Sequence, residues 1–247
     1  MKLPLRLLPL VTLCVLLALW FLAATRGWLV RPTGPGTQIS LFPSPSETLA
    51  GFSEASHKGR LLKDTLASLA RVLIAYVLSV GVGIPLGLWL GRVVAAREAL
   101  LPLLNFLRAL SPLAWIPFAV LWIGTGDLTV VFLILLAVLP PAAVTTAAAV
   151  SAVPRVYFRI AADFGIRGVK LFSQVLLPAV MPQIVTMLRV NMGLCWLVLV
   201  AAEMIAGDRG IGFLIQDANQ SLRPDLILVG MLVIGALAVL TSLYKNW

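Results

Sequence analysis

The sequence predicts an all-α, polytopic membrane protein with about six transmembrane helices, and two observations lead to that prediction. First, 60% of the 247 residues are hydrophobic and only 12% are charged, whereas about a quarter of a soluble domain is charged. Second, five uncharged runs approach or exceed the roughly 18–20 residues that a helix needs to cross a bilayer. They are residues 7–25, 72–91, 109–126, 128–154 and 226–244.

A sixth span is predicted around a shorter apolar run at residues 190–202. That run becomes long enough if the helix begins near Gln183 and includes Arg189 in its first turns. We expect the Arg189 side chain to reach the membrane surface from there, because long basic side chains snorkel to the interface.

The net charge of +9 would suit a nucleic-acid partner, but the positions of the basic residues favour a membrane. With six spans and both termini inside the cell, more of these residues fall on the inner than on the outer side, as in most membrane proteins. The largest basic cluster, between Arg155 and Lys170, is then cytoplasmic. We therefore expect a protein of the inner (plasma) membrane that contacts the lipid bilayer and binds no nucleic acid.

Three regions are expected along the chain. Residues 1–25 form an N-terminal transmembrane helix, because their apolar run is longer than the 7–15 residues typical of a signal peptide. Residues 26–60 form an extracytoplasmic loop. A short interfacial helix within that loop is predicted to begin after Ser44, because Pro45 and Glu47 complete a capping pattern. Residues 61–244 form the main transmembrane core.

Glycines and prolines predict features of the individual spans. Glycines in the inner half of the second span, 61–90, indicate close packing against another helix, and a short inner loop follows at 92–98. In the third span Pro112 and Pro117 are expected to break the helix, and such a break in a membrane lies against protein or a water-filled cavity. Pro140 and Pro141 are expected to interrupt the fourth span. An outer loop is expected at 207–225.

Polar side chains within the spans are the candidates for a path through the membrane. Arg71 is either a structural tie or a charge that faces a pore. Trp115 is either a path residue near the predicted break or part of an aromatic belt at the membrane surface. Glu203, at the end of the fifth span, is the one acidic candidate, and it could pair with Arg71 or Arg209.

No recognised catalytic or metal-binding motif occurs in the sequence. His57 lies in a polar segment and is expected at the surface, and Cys14 and Cys195 are expected to be small buried residues. Carriers driven by protons or sodium usually place acidic residues or unwound helix ends at mid-membrane. The scarcity of acidic residues therefore predicts an external source of energy.

The most polar interruption of the apolar chain is the predicted loop at 155–178. A helix is predicted over 159–164, ended by Gly165 in the left-handed conformation that glycine adopts easily. A second helix over 166–176 would carry an apolar stripe beside basic residues, and Pro178 would precede the fifth span. Such an element either docks into a cleft on another protein or lies as an amphipathic hairpin on the inner leaflet.

The spacing from Gly165 to the Leu-Leu-Pro at 176–178 resembles the cytoplasmic "EAA" loop of importer-type ABC permeases, the membrane subunits of binding-protein-dependent uptake systems. Further motifs resemble the nitrate, sulfonate, taurine and bicarbonate branch of that family. They are LFPSPS at 41–46, SLARV at 68–72, IPLG at 84–87, SPLAWIP at 111–117, VAAEM at 200–204 and GIG at 210–212. One departure is Arg159, which stands where the family has the glutamate of Glu-Ala-Ala; of that triplet only Ala161 matches.

The resemblance implies the type I ABC importer permease fold and a set of partners. These are a second permease copy, two ATP-binding cassette subunits and an extracytoplasmic substrate-binding protein. ATP and magnesium would bind to the ATPase partner, so neither a cofactor nor a metal is expected in this chain. The solute implied is a small anion: a sulfonate, taurine, nitrate or bicarbonate.

Two groups of site residues follow from the resemblance and from the candidates above. Loop 159–178 would transmit ATP-driven closure, with 164–172 as its coupling helix. The residues assigned to ATPase coupling are Phe164, Gly165, Arg167, Lys170, Phe172 and Pro178. Those assigned to the substrate path are Arg71, Ser111, Trp115, Asn191, Trp196 and Glu203.

Overall fold

The structure, a computed structural model, describes residues 8–25, 30–34, 37–40 and 43–242. It confirms the predicted all-α fold, to which it adds one small antiparallel hairpin of β1 (Val30–Gly34) and β2 (Thr37–Ser40). The hairpin follows α1 (Leu8–Thr25), which occupies the first predicted span. The hairpin was not predicted from the sequence.

A capped helix, α2 (Pro45–His57), begins at the predicted capping pattern. The Ser44 backbone N–H donates to Glu47 Oε2 at 2.7 Å, and the Glu47 N–H donates to Ser44 Oγ at 3.3 Å. The Trp20 indole N–H donates to the Pro43 carbonyl at 3.1 Å, which links α1 to the start of α2.

Four helices in the described part of the chain are long and apolar enough to cross a membrane. They are α3 (Arg60–Arg92), α6 (Asp127–Ser151), α9 (Leu177–Ala206) with the turn before it, and α11 (Pro224–Ser242). Counted together, α4 (Val94–Ala109) and the segment of a 3-10 turn (Pro112–Trp115) and α5 (Ile116–Ile123) are long and apolar enough for a fifth span, and the two parts are bent by 87° from each other. The break at Pro112 was predicted and is confirmed.

Two predictions about irregular segments are wrong. Pro140 and Pro141 do not interrupt α6, which remains helical through both; neighbouring helices and local adjustments make proline tolerable inside membrane helices. The inner loop predicted at 92–98 is reduced to Val93, whose extended conformation (φ −104°, ψ 106°) separates α3 from α4.

Glycines of α3 allow close contact with α6, as the sequence predicted. A Cβ atom at Gly87 would lie 2.5 Å from the Ala143 carbonyl oxygen, and one at Gly91 would lie 2.4 Å from Val150 Cβ. Such distances leave no room for a side chain. The inner half of α3 therefore packs on α6 with its backbone, as small residues permit in membrane helices.

The predicted loop at 155–178 is more helical than expected. After α7 (Arg155–Asp163), Gly165 has φ +68°, which confirms the left-handed turn. α8 (Gly168–Leu171) then continues through a π-helical turn (Phe172–Leu176) into α9. The assignment of 164–172 to a single coupling helix is therefore wrong, because the chain leaves the helical conformation at Gly165.

The fifth span also begins earlier than residue 183. The π-helical turn Phe172–Leu176 runs directly into α9, which has Pro178 in its first turn. Arg189 is consequently the thirteenth residue of α9, not a residue of the first turns of the span. The prediction that Arg189 lies in the first turns of this helix is therefore wrong.

Candidate functional site

A buried arginine lies at the centre of an ion network at one end of the bundle. Arg71 is 3% exposed, and its Nη1 donates to Glu203 Oε1 and to the Arg209 carbonyl, both at 2.6 Å. Its Nε donates to Asp127 Oδ1 at 2.6 Å and its Nη2 to Asp208 Oδ1 at 3.2 Å. These contacts join α3, α6, α9 and the segment after α9. The Arg71 network consists of Asp64, Ser68, Arg71, Asp127, Glu203, Asp208 and Arg209.

Glu203 is fully buried but well partnered. Besides Arg71, it accepts hydrogen bonds from Ser68 Oγ at 2.8 Å and from the Gly212 N–H at 2.9 Å. Gly212 lies in the first turn of α10 (Ile211–Gln220), the end at which the helix dipole favours an anion. The pairing of Glu203 with Arg71 that the sequence suggested is present. A buried carboxylate is tolerated only with such partners.

The start of α10 is fitted closely to α3. The Gly210 N–H donates to Asp64 Oδ1 at 3.0 Å, and the Ile211 N–H donates to Ser68 Oγ at 2.9 Å. Gly210 has φ +113°, and a Cβ atom there would lie 2.4 Å from Glu203 Oε1. This explains the Gly-Ile-Gly motif. It also corrects the loop predicted at 207–225, since α10 occupies its middle.

The network indicates that Arg71 is a structural tie between helices and not a charge that faces a pore. Each of its three guanidinium nitrogens donates a hydrogen bond to a protein oxygen. The network nevertheless reaches the surface through Arg209, whose side chain is 60% exposed and donates to Asp127. That hydrogen bond raises the pKa of Arg209 above its usual value. Arg209 is therefore a cation at any physiological pH.

The remaining path candidates lie in different environments. Ser111 is exposed at the bend between α4 and the 3-10 turn. Trp115 is half-buried beside Phe118 and Trp122, with ring centroids 6.3 and 6.4 Å away. Trp115 and Trp196 border the same apolar core cluster.

Two of the candidates are closed off in this conformation. Asn191 is 3% exposed, and its Nδ2 donates to Met187 Sδ at 3.1 Å. Trp196 is 2% exposed, and its indole N–H donates to Thr241 Oγ1 at 2.9 Å. Their polar groups are directed to neighbouring side chains and not to an open path.

The opposite end of the bundle exposes an apolar face on α7. Val156, Tyr157, Ile160 and Phe164 are between 48% and 78% exposed, and their spacing places them along one side of the helix. Phe158 points the other way and packs under Arg92, whose Cζ lies 5.3 Å from the ring centroid. The sequence predicts an apolar stripe after Gly165, whereas the exposed stripe in the structure lies before it on α7, where the spacing of the apolar residues could have revealed it.

Of the predicted coupling residues, Phe164 belongs to this face and the others follow it along the chain. Phe164, Gly165, Arg167, Lys170 and Pro178 are all exposed. Phe172, at 36%, is just exposed at the start of the π-helical turn.

Among the described residues, no group of three or more His, Cys, Asp or Glu side chains is placed to hold a metal ion.

Comparison with known proteins gives relatives along most of the chain. The taurine transport system permease protein of Escherichia coli is 35% identical over 94% of this chain and 83% of its own length. The bicarbonate transport system permease protein of Synechocystis is 33% identical over 91% of this chain and 80% of its own length. The nitrate import permease protein of Leptolyngbya laminosa is 35% identical over 71% of this chain and 63% of its own length.

The fold is shared with a solved transporter. An inward-facing crystal form of the MetNI methionine ABC transporter has a chain that aligns with a TM-score of 0.59 and 16% identity, covering 76% of this chain and 94% of that one. Residues 83–245 match the family described as binding-protein-dependent transport system inner membrane components. The chain therefore belongs to that family: it is a permease subunit of an ABC importer in the inner membrane, and not an enzyme.

Proposed function

We propose that the chain forms the translocation path for a small anion that carries a sulfonate, nitrate or bicarbonate group, or for taurine itself. The observation that carries this proposal is the 35% identity to the taurine permease over 94% of the chain. The nitrate and bicarbonate relatives add support. The solutes in these three names share one feature, a small group with several oxygen atoms that bear negative charge.

The proposed assembly contains two copies of this chain, two ATP-binding cassette subunits and an extracytoplasmic substrate-binding protein. ATP and magnesium bind to the cassette subunits, and this chain needs no cofactor of its own. Its part is to open the path alternately to the two sides of the membrane.

Coupling to the ATPase is proposed to run through residues 159–178 and through the exposed face of α7. That face offers apolar side chains, among them Tyr157 and Ile160, within a rim that includes Arg159 and Arg167. An apolar helix face with a charged rim suits a groove on a partner protein. The assigned coupling residues Phe164, Gly165, Arg167, Lys170, Phe172 and Pro178 continue this surface toward α9.

Reconstitution of the complete transporter tests the proposal. Proteoliposomes that contain this chain, its ATPase and its binding protein should accumulate labelled taurine, nitrate or bicarbonate only when ATP is supplied. Flux without ATP and without partners would instead indicate a self-powered carrier. Uptake of none of these anions would contradict the proposed solute.

The same preparation tests the coupling surface. Replacing residues 165–172 by a Gly/Ser linker, or Tyr157 and Ile160 by alanine, should abolish co-purification of the ATPase, because the contact face is lost. Leu121→Ala is the matched control, since Leu121 is 79% exposed on α5, away from α7. Full retention of the ATPase by the linker variant would show that docking occurs elsewhere.

A further inference from the structure

Exposed basic side chains lie beside the apolar face of α7 and just after it along the chain. They are Arg155, Arg159, Arg167 and Lys170, against which the segment 155–170 has one acidic residue, Asp163. None of the four basic side chains makes a hydrogen bond or an ion pair with the part of the chain that the structure describes. Their positive charge is therefore available to a partner.

Two of these arginines are unfavourably placed for the helix that carries them. Arg155 is the first residue of α7, where the helix dipole disfavours a cation, and no acidic residue occupies that first turn. Arg159 lies four residues further on, so the two like charges are neighbours at a spacing that destabilises a helix. A local conflict of this kind is expected where a functional contact compensates for it.

The direction of the apolar face favours a protein partner over lipid. Phe158 and Ala161 form the side of α7 that packs on the inner ends of the spans, where Phe158 borders a buried cluster with Leu88 and Val150. The centre of the apolar face lies about 120° further around the helix, at about 100° per residue. The apolar face is thus turned away from the spans, whereas a helix on the inner leaflet turns its apolar face to the acyl chains.

We propose that this positive charge selects the ATPase partner: α7 docks into a groove whose rim carries carboxylates, one of which pairs with Arg159. The apolar face supplies contact area, and the basic edge orients α7 and rejects a subunit with a basic rim, because like charges across an interface are unfavourable. A guanidinium suits such a rim because it donates two parallel hydrogen bonds to one carboxylate. The inference rests on the proposed coupling function, since it requires that the ATPase docks at α7.

Retention of the ATPase by the purified complex tests the role of charge. The double variant Arg155→Gln, Arg159→Gln should retain about tenfold less ATPase at about 0.1 M salt, because two charge contacts are lost. Raising the salt to about 0.5 M should weaken retention by the parent and change the double variant little. Lys58→Gln is the matched control, since it removes an exposed charge at the other end of the bundle and should retain the ATPase like the parent.

Reversing the charge at position 159 gives the sharpest test. Arg159→Glu should lower ATPase retention at least as much as the double variant, because it sets a carboxylate against the acidic rim. Arg159→Lys keeps the charge and should retain most of the ATPase. The family motif has glutamate at this position, so docking that followed the motif would tolerate Arg159→Glu. Parental retention by Arg159→Glu therefore overturns the inference.

Chemical cross-linking locates the carboxylate. A carbodiimide joins an amine to a carboxylate in contact with it, and Arg159→Lys supplies an amine at this position. Treatment of the assembled complex should form an amide between residue 159 and an Asp or Glu of the ATPase, identified by mass spectrometry after digestion. The parent, whose guanidinium does not react, is the control. A complex that retains the ATPase but gives no such product at residue 159 contradicts the pairing.

The remaining outcomes separate this inference from the coupling on which it rests. If alanine at Tyr157 and Ile160 releases the ATPase while the double arginine variant keeps it, the coupling surface stands and the acidic rim does not. If the double variant loses the ATPase in nanodiscs with phosphatidylglycerol but not in neutral phosphatidylcholine, the arginines bind lipid headgroups and the inference is wrong. A parent that retains no ATPase overturns the coupling and this inference together.

Discussion

At the scale of single residues, the Arg71 network contains all the fully buried charged side chains among the described residues, namely Asp64, Arg71 and Glu203. Arg71 and Glu203 are 3% and 0% exposed, and they are joined directly at 2.6 Å. Each of these two charged groups is tolerated in the interior because it pairs with the other and with nearby hydrogen-bond donors and acceptors. Removing one partner of a buried pair leaves an uncompensated charge, which costs more than the pair contributes.

Arg71→Met should therefore lower the free energy of unfolding by about 3–5 kcal/mol, because Glu203 keeps only Ser68 and the Gly212 N–H. Glu203→Gln should cost less, since Arg71 retains Asp127. Unfolding in mixed detergent, followed by tryptophan fluorescence, measures both. Lys58→Gln, at the surface, should change stability by at most about 0.5 kcal/mol. Parental stability of Arg71→Met would show that the pair is not a structural tie.

At the scale of the elements, the contact between α3 and α6 depends on where the glycines of α3 face. Gly87 packs against the backbone of α6, whereas a Cβ atom at Gly81 on the same helix would meet nothing within 4 Å. One helix thus contains a packed and an unpacked glycine. Substituting alanine at each position therefore distinguishes the cost of filling a packed contact from the effect that replacing glycine has on the stability of the helix itself.

Gly87→Ala should destabilise the protein by about 1–3 kcal/mol, the usual cost of forcing extra volume into a packed contact. Gly81→Ala should be neutral or stabilising, because alanine is the better helix former. The difference in thermal unfolding midpoint between the two purified variants is the measurement. Equal midpoints would mean that α6 does not approach α3 so closely.

At the scale of the whole molecule, the charge distribution predicts that α7 and the Arg71 network lie on opposite sides of the membrane. The basic cluster between Arg155 and Lys170 belongs inside by the positive-inside rule. The α2 helix and Arg209 then face outward. The apolar face of α7 is then separated by the length of α9 from the outer surface, where we propose that the binding protein delivers the solute.

Labelling of intact cells tests that orientation. In the Cys14→Ala, Cys195→Ala background, an impermeant maleimide should label Lys58→Cys from outside, and it should label Arg167→Cys only after the membrane is opened. Each residue is exposed, so access is decided by side and not by burial. The reverse pattern would place the N-terminus outside.

Local patterns were the most reliable part of the sequence prediction. The capping pattern at Ser44, the left-handed turn at Gly165 and the break at Pro112 depend on residues close together in the chain, and the structure has all three. The proline pair at 140–141 was misread because neighbouring helices support α6. The helix expected over 164–172 is interrupted at Gly165, whose left-handed conformation follows the end of α7.

The sequence by itself determined that the chain spans a membrane, that the fold is all-α, and which motifs resemble an importer permease, because hydropathy, length and short motifs are properties of the linear chain. Only the tertiary structure decided that Glu203 meets Arg71 and that the Gly210 N–H meets Asp64, since both contacts close over more than 130 residues. It also made Arg189 the thirteenth residue of α9. Helix ends depend on packing beyond the local sequence, and the position of this charge depends on where its helix begins.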